Sequence, residues 1–239
     1  MYNFEPREGF PNRNYKILKY FLMKNDILKK RATDILKKLA QEYPESKSHL
    51  EFKNPFELLI STVLAAQCTD VRVNMTMPPL YKSKYKSPKD ILKDGEANFR
   101  QNIKSISFPN SKAKSVLALC KQLVDEFQGE VPKTMEELTE LHGVGRKSAS
   151  VVLGNCFGKK DVIIVDTHFK RVTARLGLTE NEDPEKIEKD LKEIIPENEQ
   201  FNFSLRIGDH GRQICDAKKP KCPECMFVKS CPSAKLFLK

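Results

Sequence analysis

No apolar run in this 239-residue chain approaches the roughly 20 residues that cross a bilayer as a helix. Nor do the first residues form the continuous apolar core of a secretory signal, and their acidic members, Glu5 and Glu8, make a poor organellar transit peptide. The expectation is a soluble, intracellular protein, cytoplasmic and, in a prokaryote, associated with the nucleoid. Long internal repeats and low-complexity tracts are also lacking, which argues against a solenoid. Strand signals are nearly absent, whereas Ile27, Ala32, Ile35, Leu36 and Leu39 are spaced for one buried helix face. The chain reads as an all-α globule.

What is present in excess is positive charge. Lys and Arg number 42 against 32 Asp and Glu, a formal +10 that favours a polyanionic partner, nucleic acid ahead of an anionic membrane surface. At 39% hydrophobic content the chain can bury one sizeable core or two small ones. From Met1 to about Asn25, aromatics, prolines and basic residues mix without a helical stripe, as in a loosely held extension. Beyond it, caps mark the helix starts. Asn54-Pro55-Phe56-Glu57 precedes the apolar run from Leu58 to Ala66 and predicts a long buried helix. Thr134-Met135-Glu136-Glu137 fits the capping box of a short helix closing at Leu141, and further starts fall at Ser87-Pro88 and near Asn110-Ser111.

Cysteine is unevenly placed. Cys68, Cys120 and Cys156 sit among apolar residues, as reduced core thiols do. Cys215, Cys222, Cys225 and Cys231 instead form a compact set, C-x6-C-x2-C-x5-C. Four thiolates this close can enclose one metal centre, since soft sulfur ligands select iron-sulfur clusters or zinc. A zinc ribbon presents two C-x2-C knuckles far apart. Here one knuckle is flanked by two irregular arms, which suits a 4Fe-4S cluster better. Two disulfides or scattered core thiols are the plainer alternatives, disfavoured because no secretory signal points to an oxidising destination.

After Leu141 comes His142-Gly143-Val144-Gly145-Arg146-Lys147, then the small apolar face Ala149, Val151, Val152 and Leu153. This is helix, glycine hairpin, helix. The glycines permit backbone angles that other residues disfavour and leave nothing to block close approach, so their N–H groups and the next helix start can face a phosphate. An ordinary tight turn has the same residues. Lys147 falls in the first helical turn, where the dipole and neighbouring Arg146 both disfavour added positive charge. A lysine is a nucleophile only when neutral, which from a pKa of about 10.4 is roughly one molecule in a thousand near pH 7.4. A phosphate-binding lysine is the plainer option. The odds shift with Val162-Ile163-Ile164-Val165-Asp166-Thr167-His168, where an apolar run ends on a carboxylate at a helix start. As an N-cap held by backbone N–H groups, Asp166 stays ionised and can stabilise a cationic sugar or assist proton transfer. An amine and a carboxylate are the pair that displaces a base at an anomeric carbon and forms a Schiff base.

Leu141 to Lys147, Val165-Asp166-Thr167-His168 and the four-cysteine tail together resemble the endonuclease III family. Pro55 to Ile60, Ala66 to Asp70, and Arg206 to Cys215 with its His210-Gly211-Arg212 step extend the resemblance over about residues 27 to 231. It implies an all-helical glycosylase fold: residues 48–160 as a six-helix domain with the helix-hairpin-helix at about 134–157, residues 27–47 and 161–239 as a cluster domain, and 1–26 as an extension. The active cleft lies between the domains, and a monomer is the simplest expectation. The implied activity is base-excision repair, as a DNA glycosylase and AP lyase acting on duplex DNA with oxidised pyrimidines or abasic sites. Lys147 attacks C1′ of the extruded nucleotide, Asp166 supports base departure, and elimination from the Schiff base nicks the 3′ side; extrusion is needed because C1′ is poorly reachable in a duplex.

By the same resemblance Gln67 enters the gap left by the flipped nucleotide, and Asn110, Gly143, Gly145, Arg146 and His168 face DNA. The 4Fe-4S cluster of Cys215, Cys222, Cys225 and Cys231 is structural, and Lys218, Lys219 and Lys221 make a second phosphate contact or a solvated loop. Three positions depart from the family pattern. His142 stands where Pro is usual and Ser107 where Gly is usual. Phe108-Pro109 replaces an aliphatic and an aromatic residue in the loop that wedges the opposite strand, a place Phe108 fills by stacking. The adenine glycosylase branch lacks the hairpin lysine, and the oxoguanine glycosylases of this fold lack the cluster. A non-catalytic, redox-sensing helix-hairpin-helix DNA-binding protein is the reading from another class.

Overall fold

The computed structural model describes residues 12–238, and of residues 12–22 and 24 the backbone only. The chain enters on α1 (Asn12–Glu42) and runs through six helices in succession: α2 (Pro55–Leu64), α3 (Asp70–Ser83), α4 (Pro88–Asn102), α5 (Pro109–Phe127), α6 (Met135–Glu140) and α7 (Arg146–Phe157). It returns through α8 (Thr167–Arg175), α9 (Pro184–Ile194) and α10 (Gln200–Gln213) to a tail of short turns. No β-strand occurs among the described residues, in line with the all-α expectation.

The caps work as local chemistry dictates. Asn54 accepts the Glu57 N–H at 2.9 Å while the Glu57 carboxylate accepts the Lys53 N–H at 2.8 Å, so orphan donors at the start of α2 are satisfied from both sides. Thr134 accepts the Glu137 N–H at 3.2 Å ahead of α6, and Asp90 accepts the Ser87 N–H at 2.9 Å ahead of α4. Three boundaries differ from the sequence reading. Helix α2 is short, ending at Leu64, because the buried ammonium of Lys112 takes the Leu64 carbonyl at 2.7 Å and the chain turns outward there. Helix α5 begins on Pro109, one residue ahead of the expected start near Asn110-Ser111. Helix α1 starts at Asn12, well inside the stretch read as an extension. Residues 12 to 27 contain neither Pro nor Gly, so nothing stops a helix propagating back from its buried part even without an apolar stripe. The first eleven residues of the supposed extension lie outside the described residues.

Apolar side chains segregate into two cores. Leu58, Leu59, Ile60, Phe99, Leu119 and Val152 belong to the first, built by α2 to α7. Ala32, Leu39, Phe169, Ile187, Leu191 and Phe203 belong to the second, built by α1, α8, α9 and α10. Val162 packs in the first core and the adjacent Ile163 in the second, so the extended Val162–Val165 stretch is the crossing. At the seam, Gly154 of α7 faces the Phe201 ring of α10 so closely that a Cβ there meets a ring carbon at 2.0 Å.

Candidate active site

A cleft opens where the two cores meet. Its walls are the end of α2 with Thr62, Ala65 and Ala66, the exposed face of α7, and α10 with Ser204, Gly208 and Arg212. Lys147 and Asp166 both line it. They come from different cores, and only the fold brings them together. Lys147 is exposed in the first turn of α7, whose N-cap is Gly145. A glycine has no side chain to satisfy the first-turn N–H groups, and Gly145 makes no side-chain cap, so these donors remain open to an anion. The two glycines work differently. Gly143 adopts φ +79°, the left-handed region, whereas Gly145 sits at φ −92° and ψ 173°, backbone open to any residue. A Cβ on Gly145 would meet nothing within 4 Å, so its hydrogen serves access rather than conformation.

Asp166 is the N-cap of α8, accepting the Phe169 N–H through Oδ1 at 2.7 Å. Its other oxygen lies 3.8 Å from the Arg212 guanidinium, which stands at 3.8 Å from Asp70 as well. Arg212 therefore spans the cleft from α10 to the start of α3. One carboxylate oxygen is consumed by architecture and the other faces the cleft.

In the tail, Cys215, Cys222, Cys225 and Cys231 line one apolar cavity against the second core, with Val172, Leu176 and His210 around them. None is disulfide-bonded. Arg175 donates to the Cys215 sulfur at 3.3 Å and the Phe227 N–H to the Cys225 sulfur at 3.4 Å. Burial pushes the Cys225 and Cys231 thiols up, and so do the other cysteines of the set. Four thiolates around one apolar cavity repel one another unless a cationic centre lies between them. Among the described residues no group of three or more His, Cys, Asp or Glu is arranged to hold a single metal ion. The donor set fits a polynuclear iron-sulfur centre.

A family profile described as "HhH-GPD superfamily base excision DNA repair protein" matches residues 60–197. The endonuclease III of Synechocystis sp. is 45% identical over 206 residues, 86% of this chain and 94% of that protein. A non-covalent endonuclease III–DNA complex superposes with a TM-score of 0.83 at 39% identity, covering 87% of this chain and 97% of that one, and a trapped endonuclease III–DNA covalent intermediate matches equally well. The chain belongs to the endonuclease III family. Membership settles the fold class, including the helix-hairpin-helix of α6 and α7.

The other residues that the family resemblance singled out fall into three sets. Gln67 and Phe108 are exposed and both left-handed, at φ 53° and φ 56°. Phe108 also precedes Pro109, a position that normally forces extended backbone, and its side chain is 61% exposed. Such strain persists only where the surroundings impose it, and it gathers at functional sites. Asn110 is exposed just after Phe108, in the first turn of α5. Lys218, Lys219 and Lys221 are exposed on a loop pinned by Asp216, which accepts the Lys218 and Lys219 N–H groups, and by Arg175, which holds the Asp216 and Ala217 carbonyls.

Arg146 and His168 are engaged within the protein. The Arg146 guanidinium forms a fork to Glu188 of α9, at 2.5 and 2.8 Å, so its charge is met rather than left facing Lys147. Although burial works the other way, Arg146 and Lys192 hold the Glu188 carboxyl below the usual carboxylate range. His168 lines the cleft but bonds Arg171 at 3.1 Å, and burial, with Arg212 and Arg171 nearby, keeps its ring below the usual histidine range. Cys68 differs from the core thiol expected. It opens into the cleft, and although burial opposes this, hydrogen bonds from Ser107 and the Lys112 charge lower its thiol, whereas burial pushes Cys120 up to about 12 and Cys156 to about 11.

Sequence reasoning assigned no role to Arg212, Glu188, His49 or Asp209. Arg212 and Asp209 both lie inside the Arg206–Cys215 segment, where the His210-Gly211-Arg212 step is the only signal. Glu188, His49 and Asp209 find their partners through the tertiary fold, which leaves no local pattern.

Proposed function

We propose that the chain removes oxidised pyrimidines from duplex DNA in base-excision repair and then cleaves the abasic strand through a Schiff base on Lys147. The observation that carries this reading is that Lys147 and Asp166, from different cores, share one cleft. The neutral Lys147 amine attacks C1′ of an extruded nucleotide, the C1′–N bond breaks, and its electron pair leaves with the base. Asp166, fixed as an N-cap and open on its second oxygen, faces the cationic sugar or takes the proton that the amine sheds. The C1′–O4′ bond then breaks, O4′ takes a proton and the opened sugar is left as an iminium on Lys147; loss of a C2′ proton from it expels the 3′ phosphate, and water frees the lysine. The open N–H groups at Gly145 and the first turn of α7 hold a backbone phosphate.

The two cores correspond to a six-helix domain, residues 48–160, and a cluster domain, residues 27–47 and 161–239. Cys215, Cys222, Cys225 and Cys231 would hold a 4Fe-4S cluster whose contribution is structural, tying the tail to α8 and α10. Gln67 and Phe108 enter the duplex, and Lys218, Lys219 and Lys221 meet its backbone. A duplex substrate fits an enzyme that acts as a monomer in the cytoplasm, associated with the nucleoid in a prokaryote.

Borohydride trapping on a duplex with one thymine glycol tests the reading. The wild-type protein forms a stable crosslink, Lys147→Gln forms none, and Asp166→Asn slows base release. A folded wild-type protein that neither crosslinks nor releases base sinks the proposal.

A further inference from the structure

The cleft contains a histidine with no part in the chemistry above. His49 lies in the connection between α1 and α2 and lines the cleft together with Lys147 and Asp166. Its Nε2 is 2.8 Å from Oδ1 of Asp209 on α10, and Ser46 donates to the other Asp209 oxygen at 2.5 Å. Asp209 is buried at 8% exposure, while the His49 side chain is 45% exposed. Although burial opposes it, the hydrogen bonds from His49 and Ser46 hold the Asp209 carboxyl below the usual carboxylate range. An ionised carboxylate only accepts, so the proton of this bond sits on His49 Nε2. In the neutral tautomer with its proton on Nε2, the ring offers the lone pair of Nδ1 as an acceptor.

The main chain of this residue is also held. Asn74 of α3 donates to the His49 carbonyl at 2.8 Å and accepts the Glu51 N–H at 3.0 Å. Side chain and backbone are thus tied to opposite walls, one to α10 and one to α3, leaving the ring's open part on the cleft. Ser46 already joins this connection to Asp209, so anchoring the loop does not require an imidazole. A fixed acceptor on a half-exposed ring is what recognition of a ligand N–H needs.

We propose that His49, oriented by Asp209, is the hydrogen-bonding contact for the extruded base and a determinant of which bases are excised. Its ligand is a pyrimidine with an N–H on its edge, a donor that survives oxidation of the 5,6 bond even as the ring loses planarity and stacking. This rests on the base-excising reading above, and the two are separable. An abasic site has no base to hold, so the lyase step at a preformed abasic site bypasses His49.

The experiment compares wild type, His49→Ala and His49→Gln in single turnover on two duplexes, one with a thymine glycol and one with a preformed abasic site. His49→Ala slows base release about tenfold or more, the worth of one lost hydrogen bond to a buried ligand, while abasic incision stays within about twofold of wild type. His49→Gln, which keeps a donor for Asp209 and an acceptor for the base, recovers much of the loss. Unchanged base release in His49→Ala overturns the proposal. A parallel fall in both activities also overturns it, assigning His49 to the architecture. A wild-type protein inert on both duplexes removes this inference and its premise together.

Discussion

Asp166 serves two ends with its two oxygens, and substitutions separate them. Oδ1 closes the start of α8 on the Phe169 N–H, and Oδ2 faces the cleft and Arg212. Asn keeps an acceptor for the cap, whereas Ala keeps nothing. Asp166→Asn is expected to unfold in urea within a few tenths of a kcal/mol of wild type, and Asp166→Ala about 1 kcal/mol lower, the usual worth of an N-cap. Base release falls in both, because neither has the charge. If Asn is as destabilising as Ala, the carboxylate is held by the field of Arg212 rather than by its cap. The cap at Asp166 was legible in the sequence because capping involves neighbours in the chain. Its ion pairing was not, since Arg212 is forty-six residues away in the chain.

Helix α7 shows how far an element can be read from its sequence, and what the fold adds. Its start on a glycine hairpin and the placement of Lys147 in the first turn follow from local residues, as do the caps at Asn54, Ser87 and Thr134. The left-handed turns at Gln67 and Phe108 do not, because neither residue type advertises φ above zero. Nor does the depth at which α7 docks, which depends on Gly154 and the Phe201 ring. The glycine that caps the start of this helix and the one inside it therefore predict opposite phenotypes. Gly154→Ala drives a methyl into Phe201 and is expected to cost about 1–3 kcal/mol as overpacking, shifting Lys147 relative to Asp166 and lowering activity with it. Gly145→Ala meets open space, costs under about 1 kcal/mol as a poorer cap, and weakens DNA binding where the backbone phosphate approaches. Denaturant midpoints set beside binding isotherms for the pair check this, and a Gly145→Ala protein that binds DNA as wild type does would show that no phosphate sits there.

At the scale of the molecule, the two cores are stitched across their seam by carboxylates: Glu188 to Arg146, Asp209 to His49, and Asp70 to Arg212. Composition foretold the basic surface and the cysteine spacing foretold the tail, since both are properties of the chain itself. The stitches were invisible because each joins distant segments. They make the cleft sensitive to acid. Glu188 and Asp209 titrate below their ordinary range in the folded protein, so the native state binds fewer protons than the unfolded chain, and unfolding takes protons up. Their contribution is complete above the unfolded carboxyl range, about pH 4–4.5, and is lost as pH falls through their lowered native values. The formal +10 charge adds self-repulsion as carboxylates neutralise. Urea midpoints followed from pH 7 to pH 3 are therefore expected to drop mainly below about pH 4.5. Glu188→Gln should start lower at pH 7, because Arg146 and Lys192 lose their buried partner, and then fall less steeply, because one linked proton has been removed. Wild-type and Glu188→Gln curves that run parallel through the acid range would place the acid-sensitive stitch elsewhere, with Asp209 the next to substitute.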